Sequence, residues 1–203
     1  ANRNNATAIA GCIDQLREHT DYDNYEVILI DQDSDVEDMA DLYQELKQDL
    51  GEQLTLLSYP EPNYSSMINF GVSQAKGKYA VVLSSLAMPI NDRWLTEMYS
   101  IAQREDVAVV GARIIDFDNQ LLHAGGVVGI ADDVTGLFAQ TSVDDPGYMN
   151  RAQVSQEYNF VSSACFMLAV EDYQAIGGLD EGELANSRFC IVDFCLRMKE
   201  IAL

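Results

Sequence analysis

The chain has 203 residues, and its 33 Asp+Glu against 12 Lys+Arg give a formal net charge of -21. That balance excludes nucleic acid and an anionic membrane surface as direct partners, because both would repel it. A hydrophobic content of 48% and an aromatic content of 9% exclude the disordered acidic class, which is poor in both.

The length suits one domain with ample core, and no apolar run approaches the roughly 18 residues of a membrane span. The opening Ala1-Asn2-Arg3-Asn4-Asn5 does not read as a signal peptide. Cys12, Cys165, Cys190 and Cys195 form no C-x-x-C pair, and three lie in apolar stretches. They are expected to be buried thiols in a reducing cytoplasm.

Along the chain, two periods alternate. Ile9, Cys12, Ile13 and Leu16 put an apolar stripe on a helix of about residues 5–19, and the run Tyr25 to Ile30 reads as a strand buried on both faces. Met39, Leu42, Tyr43 and Leu46 mark a second helix, and Leu54 to Leu57 a second strand. A helix over about 65–75 precedes the strand Tyr79 to Leu83, and one carrying Trp94, Leu95, Met98 and Ile101 precedes Val107 to Gly111. This alternation predicts an α/β fold with right-handed crossovers and a mainly parallel sheet.

Residues 114–122 then read as a short hairpin turning at Asp116 to Asn119. Residues 132–156 are acidic, contain Gly and Pro and are weakly periodic, so a long loop is expected there. Asn159 to Val170 reads as a strand, Glu171 to Ile176 as a short helix closed by Gly177 and Gly178, and 189–201 as a final helix.

Open α/β sheets bind ligands at the carboxyl ends of their strands. After the first strand comes Asp31-Gln32-Asp33-Ser34-Asp35. A carboxylate there can accept hydrogen bonds from a nucleoside, or serve equally well in a helix N-cap and first turn. Neither G-x-G-x-x-G nor G-x-x-x-x-G-K-[ST] occurs, which disfavours dinucleotide and P-loop chemistry.

Several segments, in order, resemble one family. They are Arg3-Asn4-Asn5, Cys12 to Leu16, Tyr25 to Ser34, Asn63 to Ser66 with Asn69-Phe70-Gly71, and Ala75 to Tyr79 with Trp94-Leu95. His123-Ala124-Gly125-Gly126, Ser163-Ala164-Cys165, Gly177 to Asp180 and Val192 to Arg197 complete the set. The chain resembles the family-2 glycosyltransferases of GT-A fold, especially those of bacterial surface-polysaccharide assembly.

The resemblance implies a three-layer sandwich that binds a nucleotide-diphosphate sugar over the sheet and transfers the sugar to a saccharide acceptor. It implies donor contacts at Asp31, Asp33, Asn63, Tyr64, Asn69, Ser84 and Ser85, and an acceptor-side contact at His123. It also implies a divalent metal, Mn or Mg, held by acids after a central strand, since a leaving diphosphate needs a hard cation. A carboxylate near the start of the last helix would act as general base.

The sequence departs from the family at those chemical positions. Ser84 and Leu86 stand where the metal-binding acids belong, and leucine cannot ligate a metal. Ile191 stands at the position of the base, and Asp193, two residues on, would face away from it on a helix. Asp132, Asp133, Asp144 and Asp145 could in principle supply new ligands, but belong to a loop expected to be solvated. Cys165 has no paired His in prospect and reads as core.

The family's first strand has no counterpart before Arg3. Residues 1–203 are therefore expected to be one GT-A-like domain cut from a longer chain with further domains. Two readings follow: a glycosyltransferase that manages without the usual acids, or a non-catalytic binding or assembly module.

Overall fold

The computed structural model describes residues 4–130 and 133–201. Arg3 and Asp132 lie outside the described residues.

Helix α1 (Ala6–Glu18) is N-capped by Asn5, whose side chain accepts from the Ala8 N–H. It packs with α2 (Glu37–Leu50) against β1 (Val27–Asp31) and β2 (Leu54–Ser58). The stripe Ile9, Ile13, Met39, Leu42 and Leu46 that the 3.6-residue period predicts meets Leu29 in this core. β1 and β2 pair in parallel, Val27 opposite Leu54 through Asp31 opposite Ser58.

A second sheet holds β3 (Tyr79–Leu83), β9 (Cys165–Ala169) and β4 (Val109–Gly111), in the order β3-β9-β4. β9 alternates between two cores. Phe166 and Leu168 join a core with α3 (Tyr64–Ser73), α5 (Val170–Ala175) and α6 (Phe189–Ile201). Cys165 and Met167 face Leu95 and Met98 of α4 (Trp94–Ala102). Helices therefore cover this sheet on both faces, as an α/β sandwich requires.

Two expectations are corrected. The sheet is not mainly parallel: β9 runs antiparallel to both β3 and β4, which leaves β1–β2 as the parallel pair among the described residues. The apolar run that predicted β9 carries no information on strand direction, and the strand is confined to 165–169 because residues 159–164 are spent in loop contacts such as the Gly126–Phe160 bridge.

The segment after the hairpin β5 (Ile114–Ile115) and β6 (Leu121–His123) is also not simply a loop. β7 (Gly126–Ile130) pairs with β8 (Asp133–Gly136), and the following stretch is bonded to the body, Gln140 N–H to Leu121 O at 2.7 Å and Val143 N–H to Asn119 O at 2.9 Å.

β1 pairs on one edge, with β2, and β3 on one edge, with β9; among the described residues the other edge of each carries no strand.

Candidate functional site

A cavity of about 520 Å³ opens at the carboxyl ends of β1 and β3, over the first turns of α3. This is where an open α/β sheet exposes its strand ends to a ligand. Gln32 follows β1, Ser84, Ser85 and Leu86 follow β3, and Tyr64, Met67 and Ile68 come from α3. Asn5, Ser163, Ala164 and Asn186 close the rim.

Local bonding explains the mouth. The Ser84 hydroxyl accepts from the Leu86 N–H at 3.2 Å, and the Ser84 carbonyl from the Ala87 N–H at 2.9 Å, so the chain turns sharply on leaving β3. The Cys12 thiol reaches the Ala87 carbonyl at 3.2 Å and ties α1 to this turn; burial pushes that thiol up to about 11. At the start of α3, the Tyr64 N–H donates to Asn186 Oδ1 at 2.9 Å, and burial raises the Tyr64 phenol above its ordinary pKa.

Of the donor-contact candidates, Tyr64, Ser84 and Ser85 come together in this cavity. The others are engaged in holding the frame. Asp31 accepts from the Ser34 hydroxyl at 2.5 Å, the Ser34 N–H at 3.1 Å and the Tyr43 hydroxyl at 2.7 Å, fastening the β1–α2 turn. Asp33 accepts from the Ser58 hydroxyl at 3.1 Å. Asn63 caps α3 through the Ser66 N–H at 2.9 Å and donates to the Glu181 carbonyl at 3.1 Å. Asn69 bonds both backbone groups of Leu179, the Glu181 carboxylate and the Tyr173 hydroxyl.

Asn5, Gln32 and Ser163 lie in segments that the sequence marks, but none was expected as a ligand contact, and Asn186 was not marked at all. Asn186 reaches the cavity through tertiary packing alone, its Oδ1 accepting from the Tyr64 N–H.

His123, the acceptor-side candidate, ends β6 outside the cavity lining. Its Nδ1 accepts from the Gly125 N–H at 3.1 Å, which places the proton of the neutral ring on Nε2, and Nε2 is buried with no hydrogen-bond partner among the described residues. Burial lowers the His123 pKa.

The family's metal does not fit the residues present. Positions 84 and 86 offer one neutral hydroxyl and a hydrocarbon side chain 74% exposed. Among the described residues no three His, Cys, Asp or Glu groups gather to hold an ion. Asp133 is paired with Arg188 at 2.8 Å, Asp145 caps the Gly147 N–H at 2.8 Å, and the Asp144 backbone N–H bonds Ser142.

Ile191, where the resemblance would put the base, is a core residue. It is 6% exposed and packs in the α3–β9–α6 core. Asp193 binds Arg197 at 2.8 Å and lines a separate cavity with Gly177 to Glu181. Arg197 also donates to the carbonyls of Ile176 and Gly178, so this pair closes the end of α5.

All four cysteines are buried and free, and Cys165 is pushed up to about 12 by burial, the opposite of an activated thiol. Among the described residues no helix is long and apolar enough to cross a membrane.

The comparisons with known proteins agree with this architecture. Two solved structures share this fold at 14% identity. They are the mannosyltransferase PcManGT from Pyrobaculum calidifontis in complex with GDP-Man and Mn2+ (TM-score 0.64, 91% of this chain, 47% of that one) and S. aureus TarS 1-349 (TM-score 0.61, 98% and 53%).

Among curated relatives, the O-antigen biosynthesis protein RfbC of Myxococcus xanthus is 28% identical over 173 residues, 83% of this chain and 13% of RfbC. The uncharacterized protein y4gI of Sinorhizobium fredii is 28% identical over 198 residues, 97% of this chain and 22% of y4gI. The chain thus spans under a quarter of the length of these two relatives. The sequence profile described as Glycosyl transferase family 2 matches residues 1–176, a span that includes β3 and its exit turn and stops before α6. On that match, the chain belongs to glycosyl transferase family 2.

Proposed function

We propose that this chain is a glycosyltransferase-like domain of a longer polysaccharide-assembly protein, which holds a sugar-bearing ligand in the β1–β3 cleft and does not itself catalyse transfer. The observation that carries this reading is the pair of substitutions at unrelated places. Leu86, at the position that the resemblance gives to a metal ligand, is exposed, and Ile191, at the position that it gives to the base, lies in the core. Loss of either alone would cripple proton transfer or leaving-group stabilisation; loss of both leaves a binding cleft.

The likeness to RfbC supports a role in polysaccharide assembly, and the short share of RfbC and y4gI that the chain spans supports further domains in the same polypeptide. Four free, buried thiols support a reducing, cytoplasmic setting.

The test is calorimetry with a panel of nucleotide sugars and saccharides, with and without manganese, beside an assay for nucleoside diphosphate release. Binding without release is expected. Release by this chain would refute the non-catalytic reading, and binding of nothing in the panel would refute the cleft as a ligand site.

A further inference from the structure

We infer that the β1–β3 cleft binds an uncharged, hydroxyl-rich ligand, a neutral saccharide, without a metal ion; this rests on the reading of that cleft as the ligand site of the domain. Among the described residues its lining contains no Asp, Glu, Lys, Arg or His. In a chain of net charge -21, a diphosphate would enter a repulsive field with no cation waiting for it.

The bonding of the lining residues decides which polar atoms face a ligand. Asn5 uses its Oδ1 to accept from Ala8 N–H at 3.1 Å, and Asn186 uses its Oδ1 to accept from Tyr64 N–H at 2.9 Å. Both amides are thereby oriented with Nδ2 left to donate. Gln32 is fixed the other way, its Nε2 donating to the Glu61 carbonyl at 3.1 Å, which leaves Oε1 to accept. The Ser85 hydroxyl makes no hydrogen bond to a described residue and can do either.

The cleft therefore offers donors and an acceptor side by side, all neutral. A sugar hydroxyl both donates and accepts, and matches that mixture. A phosphate oxygen only accepts, gains most from charged donors, and would meet Gln32 Oε1 as a like partner. The apolar wall, with the Tyr64 ring, suits the C–H faces of a pyranose.

The test is an amide NMR titration of the chain with maltotriose, cellotriose and mannotriose, and separately with UDP and GDP plus magnesium. At least one trisaccharide is expected to shift the amides of Tyr64, Ser85 and Asn186, with a Kd of about 1 mM. EDTA should leave it unchanged, and a tenfold rise in salt should alter it by less than about twofold. Asn186→Asp keeps the acceptor for Tyr64 N–H and removes the Nδ2 donor, so it should weaken the trisaccharide about fivefold while the rest of the spectrum is retained.

A nucleoside diphosphate that shifts the same amides more tightly than every trisaccharide overturns this inference and leaves the ligand site standing. If no probe shifts them, both fall. An unchanged trisaccharide affinity in Asn186→Asp overturns the assigned contacts.

Discussion

Asn69 reads the backbone of Leu179 as a neighbouring strand would: its Nδ2 donates to the Leu179 carbonyl and its Oδ1 accepts from the Leu179 N–H, both at 2.9 Å. Leu179 is 2% exposed, so these backbone groups have no water to fall back on. Asn69→Leu, similar in volume but unable to bond, should destabilise the fold by about 2–4 kcal/mol in urea unfolding. A loss below about 1 kcal/mol would mean that water replaces the amide.

Gly177 and Gly178 both take positive φ, +79° and +72°, yet their surroundings differ. A Cβ on Gly177 would meet open space, whereas one on Gly178 would lie 2.4 Å from Asn69 Oδ1 and 2.9 Å from the Tyr173 ring. Gly177→Ala should cost about 1 kcal/mol, from backbone strain alone. Gly178→Ala should cost about 1–3 kcal/mol more, because the clash adds to the strain. Chemical denaturation of the two variants side by side checks the difference, and equal losses would show that the Asn69 contact yields.

Burial holds the His123 pKa below its ordinary 6.5 in the folded chain. Between the two values the unfolded state binds more protons, so this group's contribution is complete above pH 6.5 and is lost as pH falls through the lowered folded pKa. His123→Asn keeps an acceptor for the Gly125 N–H and does not titrate. The variant's melting temperature should therefore change less than that of the unsubstituted chain between about pH 7 and pH 5. Parallel melting curves for the two proteins across that range would contradict the assignment.

Positions 86 and 191 should respond differently to an introduced acid. Leu86 is 74% exposed, and Leu86→Asp should alter stability by no more than about 0.5 kcal/mol. Ile191 is 6% exposed in the core, and Ile191→Asp should cost more than about 3 kcal/mol. Ser84→Asp combined with Leu86→Asp should introduce manganese-dependent UDP or GDP binding, read by calorimetry. No gain in a folded double variant would mean that the exit turn of β3 cannot present two carboxylates to one ion.

How far the sequence disclosed this arrangement depends on the range of each signal. β1, β3 and α6 were legible in YEVILI, AVVL and FCIVDFCLRM, because burial on both faces or on one helical stripe is written locally. The direction of β9 was not, since reversing an apolar run leaves its pattern intact. GVVGI at 126–130 gave a strand where the acidic residues after it suggested only a loop, because the pairing of β7 with β8 matters more there than composition.

The same limit applied to the site. Asp31 looks alike whether it meets a nucleoside or fastens a turn, and what engages it is the Tyr43 hydroxyl, arriving from α2. Ser84, Leu86 and Ile191 stood out in the sequence only against the spacing of the family that the chain resembles. Asn186 did not, since its place depends on the 181–186 segment folding back over α3.

The middle strand of the three-stranded sheet is also the last of the three to leave the ribosome. Leu83 finds its partner Cys165 only 82 residues later. At about 5–20 residues per second, β3 waits on the order of 4–16 s without its partner strand. During that interval Val82 and the apolar face of α3 are exposed together, a strand edge beside hydrophobic surface, which is what chaperones bind and what aggregates. A nascent chain that stalls before residue 165 lacks the strand that joins its two helical layers, so the quality of this domain in the cell depends on synthesis running through β9 without a pause.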